Sequence, residues 1–301
     1  MEEYDLIILG AGPAGLSAGV YAARYKIKTL IIGQLLGGMT GEAHEIVNFP
    51  SYEKITGFEL VKKLVNQVKK LGISIKMEGL LDVKKIKNGF EVRTNKNNYL
   101  AKKLIIATGT EKKKIGLPRE EEFVGKGISY CATCDASFYK DKTVGIVGGS
   151  NSALTSASLL EKYAKKVYIF YRQKDFFMAD PSWVGDINKN KKIEPLFNSE
   201  VVMLIGRNKL EGVELSTGKE LKLDGLFIEI GSIPNTDLEK KLGIKTDKNG
   251  YITTDKNQKT NVEGVYAAGD ITDNPLKQII TACSQGAVAA YSAWKESERK
   301  K

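Results

Sequence analysis

The stretch that decides the fold is Asp5-Leu6-Ile7-Ile8-Leu9-Gly10-Ala11-Gly12-Pro13-Ala14-Gly15. The apolar residues before the glycines have the composition of a buried parallel strand. The glycine-rich turn leads into an alanine-rich segment with helical periodicity over residues 14–25, and a second apolar strand is predicted over residues 28–32. The order strand, GxGxxG, helix, strand is typical of a dinucleotide-binding unit, in which the pyrophosphate lies against the helix N-terminus.

The dinucleotide contacts expected in this unit come from its glycine-rich turn: Gly10, Gly12, Pro13, Ala14 and Gly15. The acidic residue that usually holds a ribose hydroxyl at the end of the second strand is absent. That strand runs into Gly33-Gln34, and the next acidic residue is Glu42. We therefore expect the ribose to be held in another way, by the backbone of the loop at Gly37 and Gly38.

A second unit of the same kind begins at Thr143. An apolar strand is followed by Gly148-Gly149-Ser150-Asn151-Ser152-Ala153, a helix predicted over residues 152–163 and a strand predicted over residues 166–170. We expect this unit to bind the nicotinamide dinucleotide. The predicted contacts are Gly148, Gly149, Asn151, Ser152, Arg172 and Lys174.

Between the two fingerprints lies a CxxC pair, Cys131-Ala132-Thr133-Cys134-Asp135. Such a pair is often half of a zinc site, but the chain contains only three Cys and one His, so no metal is expected. A CxxC pair also closes readily into a disulfide, and neighbouring amides stabilise one of its thiolates. Two nucleotide sites flanking a dithiol therefore indicate electron transfer from one cofactor through another to a protein disulfide.

Two further strand–turn elements favour FAD at the first site. Leu104-Ile105-Ile106-Ala107-Thr108-Gly109 is an apolar strand that ends in small residues, and residues 264–268 form a similar strand before Gly269-Asp270. Such turns recur in flavoproteins, where Asp270 would accept a hydrogen bond from the ribityl chain. A helix predicted over residues 278–297 would point its N-terminus at the flavin ring. The expected contacts are Ala107, Thr108, Gly109, Gly269 and Asp270.

Because an element of the first unit returns after the second, the second domain is predicted to be inserted into the first. The predicted fold class is α/β, with two Rossmann-like three-layer domains that bind FAD and NAD(P). The predicted borders are 1–111 for the first part of the FAD domain, 112–242 for the nicotinamide domain with the CxxC pair, and 243–301 for the second part of the FAD domain.

Composition limits the function classes. The chain has 301 residues and a net charge of +10, but its lysines are scattered among acidic residues, so no nucleic-acid partner is expected. No apolar run approaches the roughly 20 residues that span a bilayer, so no membrane partner is expected either. The acidic start, residues 1–5, is not expected to act as a signal peptide. Cysteine usage fits a reducing compartment, and a cytoplasmic location is expected.

The motifs together resemble the low-molecular-weight thioredoxin reductase family over essentially the whole chain. The motifs that carry the resemblance are GAGPAG at residues 10–15, VNFP at 47–50, ATG at 107–109, CATCD at 131–135, GSIPNT at 231–236 and AAGD at 267–270. The resemblance implies a homodimeric flavoenzyme in which NADPH or NADH reduces FAD, which in turn reduces the Cys131–Cys134 disulfide. It also implies that the inserted domain rotates to present the dithiol to its protein substrate.

The resemblance also implies residue roles. Cys131 would attack the disulfide of a thioredoxin or a glutaredoxin-like protein, Cys134 would exchange electrons with the flavin, and Asp135 would protonate the departing thiolate. Further flavin contacts are implied for Asn48, Lys277, Gln278 and Ile279, and Lys277 stands where the family commonly has Arg.

The sequence departs from the family at the second nucleotide site. The second glycine of the fingerprint is Ser150, and the 2′-phosphate motif HRRxxxR is here Tyr171-Arg172-Gln173-Lys174-Asp175-Phe176-Phe177. Charge-assisted contacts to NADPH are therefore weakened. Three options follow: use of both nicotinamides, poor use of NADPH, or a different donor such as ferredoxin. We expect relaxed use of both nicotinamides.

Other functions remain open for the same dithiol–flavin chemistry. The chain could be the reductase arm of a peroxiredoxin system, working with a separate carrier. It could also be a redox-sensing flavoprotein whose CxxC pair reports oxidation without turnover. Thioredoxin reduction is the function that the motifs favour.

Overall fold

The computed structural model describes residues 1–234 and 237–298. Two compact units make up the chain: unit 1 comprises Met1–Glu111 and Ile233–Lys301, and unit 2 comprises Lys112–Ser232. Asn235 and Thr236 of the GSIPNT motif, and residues 299–301 of the C-terminal tail, lie outside the described residues.

Strands and helices alternate around the two fingerprints, and a run of consecutive strands follows each of them, over residues 74–112 and 193–234. The strands are β1 (Glu2–Leu9), β2 (Thr29–Ile32), β3 (Ser74–Lys76), β4 (Leu80–Ile86), β5 (Gly89–Thr94), β6 (Asn98–Ile106), β7 (Thr110–Lys112), β8 (Ile128–Ser129), β9 (Thr143–Val147), β10 (Lys166–Tyr171), β11 (Ile193–Phe197), β12 (Val201–Ile205), β13 (Gly212–Leu215), β14 (Glu220–Lys222), β15 (Gly225–Ile228), β16 (Ser232–Pro234) and β17 (Val265–Ala267). The helices are α1 (Pro13–Arg24), α2 (Gly57–Lys70), α3 (Glu120–Phe123), α4 (Ala132–Asp135), α5 (Asn151–Leu160), α6 (Pro181–Lys189), α7 (Leu238–Leu242) and α8 (Ile279–Glu298). Within the described ranges, no helix has the length and apolar character needed to cross a membrane.

The main sheet of unit 1 has the order β3-β2-β1-β6-β5-β4. Strand β6 pairs with antiparallel β5 through its first half and with parallel β17 through its second half. Alternate residues of β1 enter different cores: Leu6 and Ile8 pack with helices α1 and α8, and Ile7 and Leu9 pack on the opposite face. This alternation follows from the twofold side-chain period of a strand, and burial of both faces explains why β1 is continuously apolar.

Small residues allow α1 and α8 to pack closely. A Cβ at Gly286 of α8 would overlap the backbone carbonyl of Ala14 in α1, so only glycine allows this approach. Helix α8 therefore lies directly against the turn that begins α1, and this contact positions the first fingerprint.

Unit 2 contains a parallel sheet of order β11-β10-β9-β15-β8 and an antiparallel sheet of order β12-β13-β14. Residues of β10 alternate between two cores, with Ile169 in the core that contains α5 and Phe170 in the core that the antiparallel sheet covers. The second fingerprint follows β9, a central strand of the parallel sheet, so it lies at the carboxyl edge where dinucleotides bind in such folds.

The predicted α/β class is confirmed, and the predicted helices at 14–25 and 278–297 correspond to α1 and α8. The predicted border lies near residue 242, whereas unit 1 resumes at Ile233 in the structure. The physical reason is Leu238 of α7, which is 3% exposed and packs in the unit 1 core with Val83 and Ile244.

Candidate active site

The cysteines of the CxxC pair form a disulfide between Cys131 and Cys134, with their Cα atoms 5.3 Å apart. Cys131 is half-buried, whereas Cys134 is exposed. The backbone N–H of Cys134 donates to Sγ of Cys131 at 3.2 Å. Because an amide donor stabilises a sulfur anion, this contact favours a thiolate at Cys131 once the disulfide is reduced.

The redox loop is held by its own backbone and by Ser129. The hydroxyl of Ser129 accepts from the N–H of Cys131 at 3.0 Å and lies 3.3 Å from the carbonyl of Cys131, to which it donates. The N–H of Asp135 donates to the same carbonyl at 3.2 Å. Burial, together with the negative charges of Asp135 and Asp224, raises the pKa of Tyr139, and Asp135 itself is half-buried.

The first fingerprint is built by close backbone packing. Gly10 has φ +123°, and a Cβ there would overlap the carbonyl of Ala107 at the end of β6. A Cβ at Gly15 would overlap the carbonyl of Gly10. The predicted contacts Pro13 and Ala14 lie in the first turn of α1, so the structure brings the expected residues of both strands to one edge of the sheet.

A cradle opens beside Gly12. The N–H of Gly37 donates to the carbonyl of Ala11 at 2.8 Å, which places the Gly37–Gly38 loop against the fingerprint. A Cβ at Gly12 would meet only the carbonyl oxygen of Gly37, at 4.0 Å, and one at Gly38 would lie 3.5 Å from the Cα of Gly12. The backbone at Gly12 therefore faces open space, as close approach of a pyrophosphate requires.

Two polar side chains at the carboxyl ends of β6 and β17 have no hydrogen-bond partner among the described residues. The Oγ1 atom of Thr108 is buried and has no hydrogen-bond partner in the described part of the chain. The carboxylate of Asp270 likewise receives no hydrogen bond from a described residue, and burial raises its pKa, although the positive charge of Lys277 opposes this. Because buried polar groups normally have partners, these two groups fit a bound ligand that carries hydroxyl groups.

The turn that carries Asp270 is held by two side chains. Lys277 Nζ donates to the carbonyls of Asp270 and Thr272, at 3.1 and 2.6 Å, and lies 3.9 Å from the centre of the Tyr251 ring. Gln285 Oε1 accepts from the N–H of Gly269 at 2.8 Å. Sequence reasoning missed Gln285, although an amide inside the alanine-rich helix α8 is a visible signal.

Asn48 and Gln278 are separated by 230 residues and meet in the structure, where Asn48 Nδ2 donates to Gln278 Oε1 at 3.0 Å. Ile279 begins α8 directly afterwards. Gly109 has φ +69°, and a Cβ added there would meet no atom within 4 Å. Of the residues predicted to contact the flavin in unit 1, Gly109 follows β6 and Asp270 follows β17, whereas Asn48 and Gln278 contact each other.

The second fingerprint is packed differently. A Cβ at Gly148 would overlap the carbonyl of Glu229, which matches Gly10 in unit 1. At Gly149, however, a Cβ would lie 2.5 Å from the ring of Tyr171. Gly149 stands at the position of Ala11 in the first fingerprint, which is likewise buried, and here the Tyr171 ring packs against its backbone.

The segment after β10 also binds this turn. Met178 forms a bridge with Ser150, and the N–H of Asp180 donates to Asn151 Oδ1 at 2.7 Å. Asn151 therefore holds the protein's own backbone. Of the other predicted nucleotide contacts, Ser152, Arg172 and Lys174 are exposed.

No cluster of three or more His, Cys, Asp or Glu suited to a metal ion occurs among the residues that the structure describes. The groups that both the sequence and the fold bring forward are the sulfur atoms of the CxxC pair and the two fingerprint turns.

Comparison with known proteins places this geometry in a family. A family model described as pyridine nucleotide-disulphide oxidoreductase matches residues 4–286. A thioredoxin reductase of Peptoclostridium acidaminophilum is 42% identical over 311 residues, covering 98% of this chain and 97% of its own. The crystal structure of T. acidophilum thioredoxin reductase has a TM-score of 0.94 at 38% identity, covering 99% of this chain and 100% of its own. A ferredoxin-flavin thioredoxin reductase from Clostridium acetobutylicum has a TM-score of 0.55 at 32% identity, covering 99% of each chain. Because the family match spans most of the sequence and these relatives align over nearly their full length, the chain belongs to the pyridine nucleotide-disulphide oxidoreductase family.

Proposed function

We propose that the protein is a thioredoxin reductase, which passes electrons from a donor through a flavin and the Cys131–Cys134 disulfide to the disulfide of a thioredoxin. The observation that carries the proposal is the disulfide itself, formed in the unit that also contains the second fingerprint. Relatives named thioredoxin reductase, which align over nearly the whole chain, support the same function.

The family implies a flavin and a nicotinamide cofactor, and we propose FAD as the flavin. The open cradle at Gly12 suits a pyrophosphate, and the unpartnered Thr108 Oγ1 and the Asp270 carboxylate suit ribityl and ribose hydroxyls. When bound, FAD would supply two-electron transfer between a hydride donor and the disulfide.

The cysteines have different proposed roles. Cys131 would be the attacking thiolate, because the Cys134 amide donates to its sulfur. The exposed Cys134 would complete the disulfide when the partner's second sulfur leaves. Asp135 would protonate that leaving thiolate, since thiol exchange is faster when the departing sulfur is neutralised.

A thioredoxin is the proposed protein partner, and a glutaredoxin-like protein is the alternative. We also propose that the enzyme is a homodimer in the cytoplasm, where a reducing environment would maintain a free dithiol. The mass of the native protein in solution tests the homodimer. The distribution of the protein after cell fractionation tests the cytoplasmic location.

The proposed function is tested by anaerobic stopped-flow reduction of the yellow protein with NADPH, NADH and reduced ferredoxin, followed by transfer to thioredoxin. We expect bleaching of the flavin by both nicotinamides at similar rates, and then reduction of thioredoxin. Bleaching without transfer to any small dithiol protein would contradict the proposal and favour the redox-sensing alternative.

One specific observation favours ferredoxin as an alternative donor. The Tyr171 ring and residues 176–180 pack on the second fingerprint. The likeness to a chain named ferredoxin-flavin thioredoxin reductase supports the same alternative. If ferredoxin alone bleaches the flavin, the nicotinamide part of the proposal is wrong and the thioredoxin part stands.

Restoring the arginines of the 2′-phosphate motif should create a preference for NADPH. Gln173 and Phe177 are both exposed, so arginine fits at either position without displacing buried atoms. We expect the double variant Gln173→Arg/Phe177→Arg to lower the KM for NADPH by about ten- to a hundredfold, because charge-assisted bonds to a phosphate are strong. The KM for NADH should stay unchanged.

Val202→Arg/Met203→Arg is the matched control, because it adds the same two charges at exposed sites on β12. It should change neither KM. An equal improvement for NADH and NADPH, or none for either, would show that the arginines do not read the 2′-phosphate.

Asp270→Asn is expected to raise the stability of the flavin-free protein and to lower its affinity for flavin. Burial raises the pKa of Asp270 in the folded protein above its unfolded value, so the folded state binds more protons than the unfolded state. The contribution of Asp270 to the free energy of unfolding therefore falls as pH rises through the folded pKa. The flavin-free variant should therefore be more stable than the wild type at pH 7.5, and this difference should shrink towards pH 4. Urea denaturation at both pH values measures it.

The same variant should bind FAD about tenfold or more weakly, because a carboxylate accepts stronger hydrogen bonds than an amide does. Thr253→Ser, at an exposed hydroxyl on the loop after α7, serves as a control that should leave both quantities unchanged. Unaltered FAD affinity in Asp270→Asn would remove this residue from the flavin site.

A further inference from the structure

Lys112 lies on the peptide that precedes the redox pair. Its Nζ atom donates to the carbonyl oxygen of Tyr130, and the carbon of this carbonyl is bonded to the nitrogen of Cys131. The ammonium group is therefore hydrogen-bonded to the peptide unit that links Tyr130 to Cys131. Lys112 belongs to β7, and its only sequence signal is its place in a run of three lysines.

Glu229 holds the Lys112 ammonium in place. Its Oε1 and Oε2 atoms lie 3.1 and 3.4 Å from Lys112 Nζ, and the hydroxyl of Ser156 donates to Oε1 at 3.1 Å. The side chains of Lys112 and Glu229 are only 22% and 9% exposed. Water and salt therefore screen this pair much less than a surface pair.

Tyr130 is also held at its other end. Its hydroxyl donates to Oε1 of the buried Glu120, whose carboxylate accepts the N–H groups of Ile115 and Gly116, each at 2.8 Å. The residue before Cys131 is thus anchored through its ring by Glu120 and through its carbonyl by Lys112. Anchoring through the Tyr130 ring alone would position the loop. The additional Lys112 cation therefore indicates an electrostatic role.

We propose that Lys112 is a positioning residue for the redox pair, and that the Lys112–Glu229 pair sets both the backbone and the local charge at the Cys131 thiolate. This role rests on the proposed function of Cys131 as the attacking sulfur. A cation beside a cysteine favours its thiolate, and an anion disfavours it. The two members of the pair therefore act on Cys131 with opposite signs.

The opposite signs make the role testable in the full-length protein. In a Cys134→Ser background no disulfide forms in the pair, so the rate at which iodoacetamide alkylates Cys131 at pH 7 reports its thiolate. Lys112→Met should slow this rate by about three- to tenfold, and Glu229→Gln should speed it by a similar factor, as expected for one charge acting through a partly buried medium. Peptide mass spectrometry follows Cys131, with Cys283 as an internal reference, because burial raises the pKa of the Cys283 thiol to about 11.

A double-mutant cycle distinguishes an effect of charge from a loss of folding. Lys112→Met/Glu229→Gln removes both charges and should return the alkylation rate towards that of the parent, while Lys112→Arg, which keeps the charge, should stay within about twofold. Lys113→Met removes the adjacent exposed lysine and should change nothing. The flavin absorbance of each variant verifies that it is folded.

A purely structural role would loosen the loop in both single variants and move the two rates in the same direction. That result, or no change in either, would overturn the proposal. Since alkylation needs neither a donor nor thioredoxin, the test also distinguishes failure of this inference from failure of the proposed function.

Discussion

Cys131→Ser and Cys134→Ser are each expected to abolish thioredoxin reduction and to leave the flavin bound. The two sulfurs act as one unit, because a disulfide cannot be exchanged with a single thiol and then reformed. Loss of either should lower kcat/KM by about a thousandfold or more, as when a member of a catalytic unit is removed. Thioredoxin-coupled reduction of insulin measures the activity, and absorbance near the flavin maximum measures retention.

The two serine variants should differ in one respect. In Cys134→Ser the Cys131 thiolate can still attack the disulfide of thioredoxin: the partner's S–S bond breaks, an S–S bond to Cys131 forms, and the departing thiolate takes up a proton. This chain then has no second sulfur in the pair to release thioredoxin in its reduced form, so the mixed disulfide should accumulate and be visible on a non-reducing gel. Cys131→Ser should trap much less.

Cys283→Ser is the matched control for both variants. This residue lies in α8 of unit 1, and its half-buried thiol contacts the carbonyl of Pro13 at 3.8 Å. It should retain activity and trap no thioredoxin. Trapping by Cys131→Ser in place of Cys134→Ser would reverse the proposed roles of the two cysteines, and turnover by either serine variant would refute dithiol chemistry altogether.

Gly12→Val is expected to give a folded protein that has lost most of its affinity for flavin. Among the described residues, apart from its chain neighbours, its Cβ would meet one atom within 4 Å, the Gly37 carbonyl oxygen at 4.0 Å, so the protein itself has room for this carbon. The added atoms would enter the cradle proposed for the pyrophosphate. We expect FAD affinity to fall on the order of a hundredfold, because overpacking of a tight contact costs a few kcal/mol.

Two valine variants at other glycines serve as controls. Gly10→Val should fail to fold, since Gly10 has φ +123° and its Cβ would overlap the Ala107 carbonyl. Gly185→Val in α6, where nothing lies within 4 Å, should fold and bind flavin normally. Circular dichroism and FAD titration separate these outcomes, and normal FAD binding by Gly12→Val would place the flavin elsewhere.

Local patterns in the sequence predicted much of the fold. The apolar run before Gly10 and the glycine spacing after it predicted strand, turn and helix, because strand burial and positive φ at glycine are local requirements. The order of the motifs also predicted that the second domain is inserted into the first. The packing of Leu238 in the unit 1 core could not be predicted from local patterns, because its core partners Val83 and Ile244 lie outside helix α7.

The sequence by itself determined the α/β class, the two fingerprints and the pairing of a CxxC motif with dinucleotide chemistry, since each depends on neighbouring residues and their spacing. The tertiary structure alone decided which distant groups meet. It brought Asn48 to Gln278 across 230 residues, left Thr108 Oγ1 without a partner in the described chain, and placed the Lys112 ammonium between Glu229 and the peptide before Cys131. The physical reason is that strand order and helix packing, which no local pattern encodes, determine where side chains from remote segments lie.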